Sequence, residues 1–111
     1  LEKYHVGVDV GKDSHHVCIR DISRDTYHKS FSVKNDSDGF RELVSSLEKL
    51  SAEKDDFLIG IEACFYGLNL SYFLMEKGFN LVEVNPFRAG QFRKAQGKKA
   101  KTDKIDARST A

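Results

Sequence analysis

The sequence predicts an α/β domain on a mixed sheet of five strands, three antiparallel strands first and then helices alternating with strands. Two observations predict it. Between residues 4 and 33, three runs rich in β-branched and aromatic residues are separated only by short polar turns, the pattern of an antiparallel meander. From residue 35 to 84, two stretches with apolar residues at helical spacing alternate with two apolar runs of strand length, which implies parallel crossovers.

The first strand lies within His5-Val6-Gly7-Val8-Asp9-Val10-Gly11-Lys12-Asp13. Alternation sends Tyr4, Val6, Val8 and Val10 to one face and His5, Gly7 and Asp9 to the other. Asp9 therefore sits in an apolar strand, where an ionised carboxylate is costly unless a cation or hydrogen-bond donors meet it. Gly7 leaves room beside it. Gly11-Lys12-Asp13-Ser14 reads as a turn with Asp13 as a turn former, and His16-Val17-Cys18-Ile19-Arg20 as the second strand. His15 and His16, at the loop edge, are expected to face solvent. A polar turn over 21–25 leads to a third strand over 26–33, with Tyr27, Phe31 and Val33 on one face.

Asn35-Asp36-Ser37-Asp38 offers capping residues, after which Phe40, Leu43, Val44, Leu47 and Leu50 mark an amphipathic helix to about Ser51. Phe57-Leu58-Ile59-Gly60-Ile61 is a continuous apolar run, the mark of a central strand, and Glu62 follows it directly. Tyr66, Leu70, Phe73 and Leu74 form the next helical stripe, with Tyr66 in the core and Gly78 as the stop. Residues 80–84 make the fifth strand, ended by Asn85-Pro86. A last helical turn or more is predicted within 102–111, where Asp103 and Asp106, three apart, share a helix face. A right-handed crossover sets the fourth strand beside the first and brings Asp9 near Glu62.

Length and composition set the bounds. One hundred and eleven residues, 40% hydrophobic and 11% aromatic, support one domain with a modest core and no need of a disulfide. No apolar run approaches the roughly 20 residues of a membrane span, so a soluble chain without a membrane partner is expected. Cys18 and Cys64 lack CxxC spacing and are expected as reduced, buried thiols; with no secretory signal in view, they point to the cytoplasm. The chain begins at Leu1, and a piece of a longer protein is expected.

The net charge of +1 hides a division. Residues 1–87 carry 10 Lys/Arg against 15 Asp/Glu, whereas residues 88–111 carry 8 against 2. A basic end of this kind fits a polyanion, with Arg88, Arg93, Lys94, Lys98, Lys99, Lys101 and Lys104 as contacts to a nucleic-acid backbone. Four acids, Asp9, Glu62, Asp103 and Asp106, can converge in this topology. Oxygen-only ligands suit Mg²⁺ or Mn²⁺ better than zinc, and two such ions about 4 Å apart can clamp the attacking and leaving oxygens of a displacement at phosphorus.

Four segments, Gly7-Val8-Asp9-Val10-Gly11-Lys12-Asp13, Ile61-Glu62-Ala63, Val84-Asn85-Pro86 and Lys101-Thr102-Asp103-Lys104-Ile105-Asp106-Ala107, resemble in order the motifs of the DEDD transposases of the insertion sequence 110 family. The likeness covers almost the whole chain, and the last motif is the most specific. It implies a ribonuclease H-like (RuvC-like) fold in which residues 1–111 are the N-terminal catalytic domain. Asp9, Glu62, Asp103 and Asp106 are then the catalytic residues and the ligands of two Mg²⁺ or Mn²⁺ ions, for cleavage and exchange of DNA strands in transposition. It also implies a further C-terminal domain with a serine nucleophile, a homo-oligomer, a structured guide RNA, and a bacterial or archaeal cytoplasm with nucleoid association. One departure is visible, because Cys64-Phe65 stands where the family commonly has Thr-Gly. Ser109 has no partner that would make it a nucleophile.

Two other classes compete. A catalytically inert DNA- or RNA-binding module would use 88–108 alone and keep its affinity in chelator. An actin-like nucleotidase also pairs an acidic first strand with a following glycine, but the chain has no second Asp-containing glycine loop and is short for two lobes.

Overall fold

The computed structural model describes residues 1–84 and the strand Thr102–Lys104. Strands β1 (Tyr4–Asp9), β2 (Ser14–Asp21) and β3 (Thr26–Lys34) form the expected antiparallel meander. β4 (Phe57–Glu62) lies parallel to β1 on its other side, and β5 (Asn80–Val84) lies parallel to β4. The helices are α1 (Ser37–Glu48) between β3 and β4, and α2 (Leu68–Glu76) between β4 and β5.

One strand was not foreseen. Thr102–Lys104 pairs antiparallel with β5 as β6, so the sheet has six strands in the order β3-β2-β1-β4-β5-β6, and the helix expected within 102–111 is corrected over these three residues. The physical reason is the edge of β5: its outward N–H and C=O groups need partners, and a short extended segment supplies them where a helix would not.

The core lies on one face of the sheet. Register and alternation put Val6, Val8, Val17, Ile19, Val33, Ile59, Ile61 and Leu81 on that face, all buried. Phe40, Leu43, Val44 and Leu47 of α1 and Leu70 and Leu74 of α2 pack into the same cluster. The α1 stripe is the one its periodicity predicts, and the helix starts where Asp36 caps it, accepting from Gly39 N at 2.8 Å. α2 ends in a Schellman turn: Gly78 has φ 94°, Gly78 N donates to Met75 O, and Phe79 N donates to Leu74 O. Among the described residues no helix is long and apolar enough to cross a membrane.

Gly39 marks a tight join. A Cβ at this position would lie far inside van der Waals contact distance of the Lys34 carbonyl oxygen, because the first turn of α1 folds back onto the end of β3. Gly39→Ala is expected to lower unfolding free energy by about 1–3 kcal/mol, read by chemical denaturation, since backbone must shift to relieve the overlap.

Two expectations about burial are corrected. Cys64 is exposed and Cys18 half-buried, both as free thiols. Tyr66 is 42% exposed rather than core, because a 3-10 turn at Phe65–Gly67 precedes α2 and takes Tyr66 out of the helical stripe.

Candidate functional site

The β1–β4 register ends with Val8 opposite Ile61, so the next residue of each strand is Asp9 and Glu62. Parallel neighbours at one register level share a face, which puts the two carboxylates side by side on the face away from the helices. Both are half-buried. The link between the strand ends is direct: Val10 N donates to Glu62 Oε1 at 2.9 Å. This bond satisfies a backbone donor at the end of β1 and fixes where the Glu62 carboxylate sits. The strand ends are the carboxyl ends of parallel strands, the usual place for a ligand in an open α/β sheet.

His16 flanks Asp9 from the other side, opposite it in the β1–β2 register. It is exposed, as expected, and its ring meets Ser30 Oγ at 2.6 Å and Ser32 Oγ at 3.2 Å. Its place opposite Asp9 follows from extending the β1–β2 hairpin register to the turn, a signal stronger than its position at a loop edge. Behind the pair, the 3-10 turn after β4 rests on Val10, the residue just past β1, since a Cβ on Gly67 would touch Val10 Cγ2 at 3.0 Å. Phe65 is 78% exposed on this turn, edge-on to Tyr66 with ring centroids 5.7 Å apart.

Asp103 is not beside the pair. On β6 it stands opposite Glu83, with β4 and β5 between it and β1, which is about 14 Å at ordinary strand spacing. Asp106 lies outside the described residues, as do Arg88, Arg93, Lys94, Lys98, Lys99 and Lys101; Lys104 is placed only as the last residue of β6. Among the described residues no three His, Cys, Asp or Glu side chains converge on a cation position. The sheet therefore brings together two of the four predicted acids.

The family model of the DEDD transposases of the insertion sequence 110 type, described as a transposase, matches residues 6–111. The chain belongs to this family. Among solved structures, the transposase chain is similar to "T. thermophilus RuvC in complex with Holliday junction substrate", with 13% sequence identity, a TM-score of 0.53, and coverage of 85% of this chain and 69% of that one. The likeness shows the fold: the transposase domain has the RuvC-like, ribonuclease H-like architecture that its motifs imply. No curated protein matches it in sequence.

Sequence reasoning missed His15 in this transposase domain. Expected at the surface, it is 0% exposed, because it alternates in phase with Val17 and Ile19 and so falls on the core face of β2. That parity was the available signal. Burial holds the ring below its ordinary pKa of 6.5, an effect opposed by Asn35. His5 is shifted the same way by burial, opposed by Glu2 and reinforced by Arg20. The sign follows: below pH 6.5 the unfolded chain takes up protons that the folded chain does not. Stability is full above 6.5 and is expected to fall as pH drops through that value toward the lower folded pKa. His15 alone gives a slope of up to about 1.4 kcal/mol per pH unit, and half-buried His5 less. Denaturant titrations at neutral pH and about one unit below 6.5 check this, and His15→Gln should flatten the slope.

Proposed function

We propose that this transposase domain cuts and joins DNA strands with Asp9, Glu62, Asp103 and Asp106 as a four-carboxylate centre for divalent cations. The observation that carries the reading is the Asp9–Glu62 pair, set on one sheet face at the carboxyl ends of parallel strands with Val10 N donating to Glu62. The pair fits the proposed ion, since two half-buried carboxylates with an all-oxygen donor set suit Mg²⁺ or Mn²⁺. Bound there, such ions supply charge stabilisation at the phosphoryl oxygens of an in-line displacement.

The chain's own residues do the rest. Val10 N–H holds one Glu62 oxygen, leaving the carboxylate oriented, and β1 holds Asp9 beside it. For Asp103 to join them, the three-residue pairing of β6 with β5 has to be exchanged for a position near β1 when DNA is bound. Arg88, Arg93, Lys94, Lys98, Lys99, Lys101 and Lys104 neutralise backbone phosphates and carry the affinity. In the full-length protein a further domain, a second copy of the chain and a guide RNA complete the assembly, in the cytoplasm and at the nucleoid.

Asp106→Asn in the full-length protein is expected to abolish DNA strand cleavage while DNA affinity and the melting curve stay as in wild type. Cleavage at the wild-type rate would remove Asp106 from the mechanism. The basic segment also supports a second reading, a nucleic-acid binder without chemistry; that protein would bind DNA equally well in chelator and show no Mn²⁺ anomalous signal near Asp9. Under both readings, replacing Lys98, Lys99 and Lys101 with Ala is expected to flatten the log–log dependence of DNA affinity on salt by about 3, for three lost phosphate contacts.

A further inference from the structure

The two loops that follow the carboxylate-bearing strands are tied to each other by one half-buried side chain. Asn35, just past β3, donates from Nδ2 to Lys12 O at 3.0 Å and to Tyr66 O at 3.2 Å. Lys12 is in the loop after β1, three residues from Asp9; Tyr66 is in the turn after β4, four residues from Glu62. Asn35 N also donates to Asp13 O at 2.9 Å. A single side chain thus spans both strand ends.

His15 supplies the second half. Its ring is wholly buried and lies nearly parallel to Phe40, 20° between planes. Nδ1 accepts from Gly11 N at 3.2 Å, so this nitrogen carries no proton and, in the neutral ring, Nε2 does. Among the described residues, His15 Nε2 and Asn35 Oδ1 are the two buried side-chain polar atoms without an assigned hydrogen-bond partner. One is a donor in this tautomer and the other an acceptor. Asn35 is also the side chain whose interaction opposes the effect of burial on the His15 ring. Buried polar atoms are seldom left unpaired, and this pair is complementary.

We infer that His15 and Asn35 are positioning residues that form a clasp, His15 Nε2–H donating to Asn35 Oδ1, which fixes the β1 and β4 loops relative to each other and so holds Glu62 against Val10 beside Asp9. The chain of contacts runs from Gly11 N–H through His15 and Asn35 to Lys12 O and Tyr66 O, joining the loops that follow the two carboxylates without touching a substrate. The clasp rests on the reading of Asp9 and Glu62 as one site, but its geometry is measurable without any metal.

The test is nitrogen-15 NMR and amide hydrogen exchange on this chain. In wild type the His15 ring is expected neutral, with a slowly exchanging proton on Nε2 and none on Nδ1; a proton on Nδ1 overturns the clasp. In Asn35→Leu and His15→Phe, the Val10 amide is expected to exchange at least about tenfold faster relative to the amide of Ile59, buried at the centre of β4, the loss expected when a buried polar group is left unpaired. His15→Gln, which keeps a donor for Asn35, is expected to restore most of that protection. If the Val10 to Ile59 ratio is unchanged in both disruptive variants, His15 and Asn35 serve stability alone and the inference falls. Should either disruptive variant fail to fold, the His15 tautomer and the Val10 to Ile59 ratio in His15→Gln decide it: wild-type-like protection supports the clasp, and protection lost as far as in Glu62→Gln overturns it. Mn²⁺ broadening of the same spectra tests the site separately: broadening that is identical in wild type and Asp9→Asn overturns the paired-carboxylate reading and leaves the clasp result standing.

Discussion

Asp9→Asn is expected to remove DNA strand cleavage by the full-length protein, a drop of about a hundredfold or more, while the domain folds as before. The size follows from chemistry: the substitution keeps shape and hydrogen-bonding capacity but deletes one of the negative charges proposed to hold a divalent cation, and even partners one step removed from a metal cost about 10–100-fold. The intact fold follows from position. Asp9 ends β1 on the face away from the core, while Val6 and Val8 carry the burial of that strand. Cleavage assays beside a melting curve separate the two effects. Asp13→Asn, in the turn after β1, serves as the control and should cut like wild type. An Asp9→Asn protein that cleaves normally would end the metal-centre account.

The largest expected loss of stability comes from Ile59→Ala. Ile59 is fully buried at the middle of β4, opposite Val6 on one side and Leu81 on the other. Truncation leaves a cavity where three strands and the helical layer meet, for a cost of about 2–5 kcal/mol. Against a total of about 5–15 kcal/mol for a domain, that is a large fraction, and melting should fall by more than about 10 °C. Calorimetry measures it. Because Glu62 lies three residues further along the same strand, a loosened β4 should also raise hydrogen exchange at Val10. A change of under about 1 kcal/mol would mean that the strands close over the gap and that the core is less rigid than its burial implies.

The parts of the fold written in strong periodicity were legible. The alternation around Asp9, the α1 stripe and the apolar run before Glu62 each had one physical interpretation, and together with the handed crossover they placed the two acids side by side. Errors came where a local pattern met a tertiary demand. His15 looked like a loop-edge histidine until its phase with Val17 and Ile19 was taken seriously, and Tyr66 matched a helical stripe that begins two residues too late to include it. Asp103 and Asp106 matched a helix face, but Thr102–Lys104 is drawn into the sheet by the unpaired edge of β5. Nothing in the spacing of two acids signals such an edge. The hydrogen-bonding role of Asn35 was equally invisible, because its partners are backbone carbonyls distant in sequence.

The bond from Val10 to Glu62 joins positions separated by 52 residues. The meander of β1, β2 and β3 can form early from local contacts, whereas the β1–β4 pairing waits for a long crossover to close, a slow step in chain folding. A half-synthesised polypeptide therefore presents Asp9 alone. Whatever reactivity the carboxylate pair confers is withheld from the nascent chain until its topology is complete.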